Sequence, residues 1–176
     1  KSVKQLVDIY FQSVGRNSKL LLNVPPNTEG RISDEDVERL REFRAALDAI
    51  FDTNLARGKD AEASNVRGNS PEFAAKKVLD GDFETYWTTD EGVHKGSLTV
   101  DLGEPQRFNV VCLREPIHMG QRIKRYHVDM ETEDGWKTVA HGQTIGHKWL
   151  LRIDPVEARR IRLVVEETRQ DSCPLI

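Results

Sequence analysis

The sequence is short of cysteine, with only Cys112 and Cys173 among 176 residues. A small scaffold held together by disulfides needs more cysteines than this, so that class of protein is excluded. Because Cys112 lies in an apolar stretch, we expect a buried free thiol there. No apolar run approaches the roughly 18 residues of a membrane-spanning helix. There is no excess of basic residues, since the net charge is −3, and this argues against a general nucleic-acid surface or anionic-membrane surface.

The first 55 residues contain two amphipathic stretches that flank a short apolar run. Apolar residues recur with helical spacing over residues 3–14 and again over residues 37–51. Ser33 is a suitable N-cap for the second helix, and Asp36 completes a capping box. Between the helices, residues 20–24 are typical of a strand buried on both faces, and two prolines end it. Such a strand needs neighbours on both sides, so we expect this segment to belong to a larger α/β domain.

Beyond residue 60 the pattern changes to short strands. After one or two helical turns within residues 72–79, apolar residues alternate in three segments, and two further apolar stretches fit core strands. Asp134-Gly135 predicts a hairpin turn. Strands and turns at this spacing indicate an antiparallel sandwich. The last four residues open another apolar segment, so we expect the sandwich to lack its last strand and these residues to be weakly anchored.

One loop has the composition of a cation site. Asp80 and Asp82 flank Gly81, and the hydroxyl of Thr85 follows three positions after the second acid. A tight loop of this kind can direct carboxylate, hydroxyl and carbonyl oxygens at one centre, and such clusters suit Ca²⁺. An ordinary Asp-Gly turn before a strand explains the same residues. The residues alone leave both interpretations open.

The stretch from Asp80 to Trp87 resembles the D-G-x-x-x-T-x-W signature of discoidin-like domains. These are also called coagulation factor 5/8 C-type domains, and they include the family 32 carbohydrate-binding modules. The resemblance covers residues 60–176 and implies a mainly β, jelly-roll sandwich in which Trp87 belongs to the core. It also implies a structural calcium whose ligands are the Lys77 and Asp82 carbonyls, the Asp80 carboxylate, and the carbonyl and hydroxyl of Thr85. The family adds an acidic residue and a carbonyl from its last strand, which we expect to lie beyond Ile176.

The first segment resembles a second family. Residues 19–26, together with residues 34–47, are similar to the end of the barrel in glycoside hydrolase family 29, the α-L-fucosidases. The match over residues 1–55 is to the seventh helix, eighth strand and eighth helix of a (β/α)₈-like barrel. Several fucosidases that prefer α1,3/1,4-linked fucose carry a discoidin-like module directly after the barrel. Residues 113–115 and 120–122 also look like that module.

Together the resemblances imply that residues 1–55 are the α-β-α remnant of a catalytic barrel and that residues 56–176 are an accessory module. The parent would be an exo-acting, retaining α-L-fucosidase. Retaining glycosidases use two carboxylates about 5 Å apart, and in this family they come from earlier barrel strands, so no catalytic residue is expected here. The expected partners are a fucosylated oligosaccharide and the rest of the barrel, with no nucleic acid. The family also implies a secreted or periplasmic location.

Two other functions remain open. The chain could be a stand-alone carbohydrate-binding or adhesion module without catalysis. A phospholipid-binding relative would need exposed apolar loop tips, and no loop offers a clear Trp or Leu for that purpose. Binding to an oligosaccharide distinguishes the first of these functions from a purely structural role.

A polar group between two predicted strands is the candidate contact surface. Arginine beside carboxylate and amide groups can bind sugar hydroxyls in a bidentate way, or form buried contacts with a catalytic barrel. The group consists of Arg114, Glu115, His118, Gln121 and Arg122. Asn23 lies at the C-terminal end of the predicted barrel strand and could border a substrate pocket. The histidines are scattered without zinc-ligand spacing, so we interpret them as solvated or singly hydrogen-bonded.

Overall fold

The computed structural model describes residues 1–170 and 172–176 and divides into two compact units. Lys1–Asn54 is the helical unit, and Leu55–Ile176 is the β unit. Among the described residues, no helix combines the length and the apolar character needed to cross a membrane.

The helical unit consists of α1 (Val3–Gln12) and α2 (Asp34–Phe51). Ser33 caps α2 as predicted, since its hydroxyl oxygen accepts the Asp36 N–H at 3.2 Å. The hydroxyl also donates to the Asp36 carboxylate at 2.9 Å, in place of the reciprocal backbone bond of a full capping box. Aromatic rings pack between the two helices, with centroid distances of 5.6 to 6.5 Å. Those rings belong to Tyr10, Phe11, Phe43 and Phe51.

The strand predicted at residues 20–24 does not form in this chain, where the segment is irregular and Leu21 is 95% exposed. A strand forms only when its backbone groups find partners on a neighbouring strand. The two helices are the only elements of regular secondary structure in residues 1–54, all of which the structure describes. The apolar run is therefore irregular chain without a sheet around it.

The β unit is one antiparallel sheet of five strands in the order β1-β2-β5-β3-β4. The strands are β1 (Asp60–Ala63), β2 (Gly96–Leu113), β3 (Ile123–Thr132), β4 (Gly135–Gly142) and β5 (Trp149–Thr168). Short 3₁₀ helices lie between β1 and β2 and at Ile117–Met119. The hairpin between β3 and β4 turns at residues 133–134, and Gly135 begins the return strand at a φ of 110°.

Two long strands make this sheet enclose its own core. β2 has 18 residues, which would extend over about 60 Å if it were straight. Nevertheless Leu98 and Leu113, near its opposite ends, belong to one buried cluster. The register between β2 and β5 shifts after Asp101 and again after Phe108, and such irregularities bend strands. The antiparallel, mainly β fold predicted from the sequence is confirmed.

The last residues are firmly held, so the predicted weak anchoring is wrong. Trp87 and Ile176 exchange two backbone hydrogen bonds, at 2.8 and 3.2 Å. Leu175 is fully buried beside them and Trp87 is fully buried as predicted, with its indole N–H donating to the Asn65 carbonyl at 2.8 Å.

The prediction of a buried thiol at Cys112 is also wrong, because its side chain is exposed. Leu113 is buried, and successive strand residues point to opposite faces of the sheet. Cys112 therefore points outward, and Cys173 is the buried free cysteine.

Candidate functional site

Four residues predicted to bind calcium meet around a single hydroxyl. Thr85 Oγ1 lies 2.8 Å from Asp80 Oδ2, 3.2 Å from the Asp82 carbonyl oxygen and 3.3 Å from the Lys77 carbonyl oxygen. We call these four atoms the oxygen cradle. All four atoms are oxygens, and one belongs to an anionic carboxylate. Ca²⁺ prefers oxygen ligands of this kind.

The chain folds into this shape because of two aspartate turns around a glycine. Asp80 Oδ1 accepts the Asp82 N–H, and Asp82 Oδ1 accepts the Glu84 N–H, both at 2.9 Å. Each bond is an Asx turn, in which a side chain closes the turn that a backbone carbonyl would otherwise close. Gly81, between the two aspartates, has a φ of +83°, a backbone conformation that residues with a Cβ rarely adopt. The turns leave the backbone carbonyl of Asp82 facing Thr85.

The cradle also favours an ionised Asp80. Burial opposes the charge, but the Asp82 N–H and the Thr85 hydroxyl donate hydrogen bonds that outweigh this effect and lower the pKa of Asp80. The Lys77 ammonium adds to the lowering of that pKa from 3.8 Å away. A carboxylate that is already charged is ready to bind a cation.

Glu115, predicted to contact sugar or a catalytic barrel, has another role. Its side chain is buried, with 3% exposure, and its two carboxylate oxygens accept three backbone N–H groups. The donors are Arg122 at 2.7 Å, Ile123 at 2.8 Å and Gly146 at 2.6 Å. These three hydrogen bonds fix the loop before β3, and whether Glu115 also contacts a partner stays a prediction.

The other predicted contact residues surround that loop or lie in the other unit. The Arg114 guanidinium lies 4.2 Å from the centroid of the Phe83 ring, so it joins the loop to the cradle. His118 is exposed in the Ile117–Met119 turn. Gln121 and Arg122 are half-buried, and Asn23 is exposed in the helical unit. Whether these residues bind a partner stays a prediction.

The sequence pattern did not single out Phe83. It lies between the two acids and the threonine of the cradle loop, and its ring is 65% exposed. An exposed ring beside a guanidinium offers an apolar face and several hydrogen-bond donors at one place, which is the combination that sugar sites use. Ile117 and Met119 are also exposed on the neighbouring loop.

The fold and the loop correspond to a known domain. The family model of the F5/8 type C domain matches residues 60–176. The chain therefore belongs to the F5/8 type C domain family.

More specific matches cover the whole chain. It is 44% identical to "Alpha-L-fucosidase 1" of Arabidopsis thaliana over 180 residues, which is 100% of this chain and 35% of that protein. It superposes on a GH29 fucosidase of Ruminococcus gnavus, solved in complex with fucose, with a TM-score of 0.93 and 39% identity. That match covers 100% of this chain and 35% of the other. The chain thus spans about a third of these relatives and corresponds to their C-terminal part, which confirms both resemblances.

A third relative is a single binding module that matches part of the chain. It is chitosan-binding module 1 of a chitosanase/glucanase from Paenibacillus sp. IK-5, at 25% identity and a TM-score of 0.61. The match covers 69% of this chain and 92% of the module. The β unit therefore has the architecture of a module that exists as a unit of its own.

Proposed function

We propose that this chain is the C-terminal part of an exo-acting α-L-fucosidase that cleaves fucosyl linkages with retention. One observation carries the proposal. The F5/8 type C match begins at residue 60, whereas the fucosidase matches extend over the entire chain at 39 to 44% identity. The helical unit is therefore similar to fucosidases as well, and a discoidin-like domain on its own would not show this.

The exposed side chain of Leu21 supports the same proposal. Leu21 is almost fully exposed in a segment whose sequence suits a strand with neighbours on both sides. A barrel in the whole protein would supply those neighbours, and burial of the Leu21 side chain alone would contribute about 2 kcal/mol. The catalytic carboxylates would then come from the part of the barrel that precedes this segment.

The whole protein and this chain should differ completely in activity. The whole protein is expected to hydrolyse an aryl α-L-fucoside and to release first the α-anomer of fucose, which proton NMR identifies at early times. This chain is expected to show no turnover. Inactivity of the whole protein, or turnover by this chain, would overturn the proposal.

The linkage preference requires a second assay of the whole protein. We expect faster release of fucose from α1,3- and α1,4-linked oligosaccharides than from an α1,2-linked one of equal size. Equal rates would contradict the preference but leave the fucosidase activity standing.

The β unit is proposed to be an accessory carbohydrate-binding module. Membership in the F5/8 type C family and the similarity to a chitosan-binding module support this role. Phe83 and Arg114 provide the surface with the best chemistry for a glycan. A stand-alone binding or adhesion module is the second candidate, which the 92% coverage of the chitosan-binding module favours. The fucoside assay separates the two, because an adhesion protein has no turnover at any length.

A structural Ca²⁺ in the oxygen cradle is part of the proposal. Lys77, Asp80, Asp82 and Thr85 would hold it, and the close approach of their oxygens supports the fit. Ca²⁺ takes six to eight oxygens, so further ligands would come from water or other carbonyls. The ion would fix the loop that carries Phe83.

A fucosylated glycan substrate also favours a secreted or periplasmic location for the whole protein, and cell fractionation tests this location.

A further inference from the structure

Two histidines and a glutamate meet on the solvent-facing side of the sheet, away from the residues considered so far. His127 of β3 lies directly opposite His141 of β4, and their ring centroids are 5.9 Å apart. Glu166 of β5 lies on the other side of His127 and places Oε1 2.6 Å from its Nδ1. One potential ligand atom from each of the three residues lies within 4.8 Å of the other two. We call this group the three-strand cluster.

An irregularity in β5 brings Glu166 into the cluster. Arg125 pairs with Glu167, and the next residue, Tyr126, pairs with Val165, so Glu166 is the extra residue of a β-bulge. Bulges redirect side chains and occur often beside functional sites. The pairing between β3 and β4 also shifts register just past the histidines, between Val128 and Asp129. The cluster thus lies in a part of the sheet that departs from regular pairing on both sides.

A buried carboxylate stands behind the central histidine. Asp129 has 2% exposure, and its Oδ2 lies 3.4 Å from His127 Nε2. Thr138 and Arg162 fix this carboxylate with hydrogen bonds of 2.7 and 2.6 Å. A histidine that ligates a metal commonly presents its second nitrogen to such a carboxylate, which fixes the ring and strengthens the ligand.

We propose that the three-strand cluster binds a divalent transition metal, with Zn²⁺ as the expected ion. Two imidazole nitrogens and one carboxylate oxygen form a set of three protein ligands that leaves a fourth tetrahedral position for water. The ion takes the place of the hydrogen that His127 Nδ1 and Glu166 Oε1 share at 2.6 Å. Ligand atoms around tetrahedral zinc lie about 3.3 Å apart, so the proposal requires a rotation of the exposed His141 side chain that closes the present separation of up to 4.8 Å.

The surrounding charges are compatible with one bound cation. Arg125 donates to Glu166 Oε2 at 2.9 Å and leaves Oε1 directed at His127. Arg162 is held by Asp129, so its charge is already balanced. A bound ion would connect β3, β4 and β5 and hold the edge strand β4 to the sheet.

Calorimetric titration of the full 176-residue chain with ZnCl₂ tests the proposal, with excess CaCl₂ present to saturate oxygen-only sites. One zinc equivalent is expected to bind. His141→Ala is expected to weaken the affinity more than about tenfold, whereas His147→Ala, another exposed histidine, leaves it unchanged. Because His141 is exposed, its variant should fold, and circular dichroism checks this.

Two further variants distinguish this site from others. Cys112→Ser should retain the zinc affinity, which excludes the exposed thiol as the binding group. Asp80→Asn should also retain the zinc affinity, because Asp80 belongs to the proposed calcium site and not to the three-strand cluster. A failure of the calcium proposal therefore leaves the zinc titration unchanged, and the two proposals are tested separately. Co²⁺ in place of zinc should produce a visible absorption spectrum that His141→Ala abolishes. Equal zinc affinity in the chain and in His141→Ala, or loss of binding in Cys112→Ser, would overturn the proposal.

Discussion

At the scale of single residues, Glu115 should contribute more to the stability of the fold than its position in a polar loop indicates. Its buried carboxylate accepts three backbone N–H groups. Glu115→Ala leaves those donors buried without partners and should lower the free energy of unfolding by about 3 kcal/mol or more. Urea denaturation monitored by tryptophan fluorescence measures this difference.

Matched variants make that prediction specific. Glu115→Gln keeps one carbonyl acceptor and should fall between the wild type and Glu115→Ala. Glu133→Ala, in the exposed hairpin turn, should stay within about 0.5 kcal/mol of the wild type. An unfolding midpoint of Glu115→Ala equal to that of the wild type would show that the loop does not depend on this carboxylate.

Asp101 should make the stability of the chain decrease at acidic pH. Hydrogen bonds from Arg159, at 2.8 and 2.9 Å, and from the Gly103 N–H lower its pKa from 3.8 to about 2. Since the folded pKa lies below the unfolded one, the contribution is fully present above about pH 4 and disappears as the pH falls toward 2. Carbon NMR of the Asp101 carboxyl group measures the pKa directly.

Replacement of Arg159 isolates the cause of this shift. Arg159→Gln should raise the pKa of Asp101 toward its ordinary value, whereas Arg107→Gln, an exposed arginine of β2, should not. The stability difference between Arg159→Gln and the wild type should shrink as the pH falls from 4 to 2. A pKa that stays near 2 in Arg159→Gln would assign the shift to the Gly103 amide instead.

Some site residues follow from the sequence and others do not. The acids, glycine and threonine of the cradle are close in sequence, so local turn chemistry places them. The backbone hydrogen bonds of Glu115 were not predicted, because only the fold shows which amides surround it. His127, His141 and Glu166 meet through strand pairing and a bulge. Their spacing along the chain therefore carries no metal-binding signal.

At the scale of elements, local patterns predicted most of the structure. Helical spacing located α1 and α2, and alternation located β3, the first half of β2 and the second half of β5. Two apolar stretches located the second half of β2 and the first half of β5. The continuity of β2 was not evident, because residues 103–107, which include a glycine and a proline, interrupt the alternation although the strand continues through them. The segment of residues 20–24 is not a strand in this chain for a different reason. Its apolar pattern specifies a buried environment, and that environment must come from neighbouring strands.

The loop of residues 77–85 should respond to calcium as one element. Binding to the folded state alone stabilises a protein by about 2.7 kcal/mol at a ligand concentration of 100 times Kd. We therefore expect CaCl₂ to raise the melting temperature of the chain and EDTA to reverse the effect. Thermal unfolding followed by circular dichroism measures both changes.

Variants within and outside the loop test which residues respond to calcium. Asp80→Asn removes the anionic ligand, and Thr85→Val removes the central hydroxyl, so each should abolish most of the rise in melting temperature. Asp134→Asn removes an acid from the exposed β3–β4 turn and should leave the rise unchanged. An undiminished rise in Asp80→Asn would place the responding calcium elsewhere.

At the scale of the whole molecule, the question is whether the β unit binds glycan or only supports a neighbouring barrel. If it binds, calorimetric titration with fucose- and galactose-containing oligosaccharides should show weak binding to this chain. Phe83→Ala removes the exposed ring and should weaken that affinity about tenfold, since ring stacking and apolar burial together contribute roughly 1.5 kcal/mol. Arg107→Ala, on an exposed strand position, should bind as the wild type does. No binding to any oligosaccharide would assign the β unit to the supporting role.

The backbone pairing of Trp87 with Ile176 has a consequence for how the chain acquires its fold during translation. The two partners are far apart in the sequence of the β unit, and the fully buried indole of Trp87 lies in its core cluster. A nascent chain leaving the ribosome carries Trp87 without its partner until residues 173–176 have emerged. Pairings between such distant segments form slowly, so chaperone protection matters most in that interval.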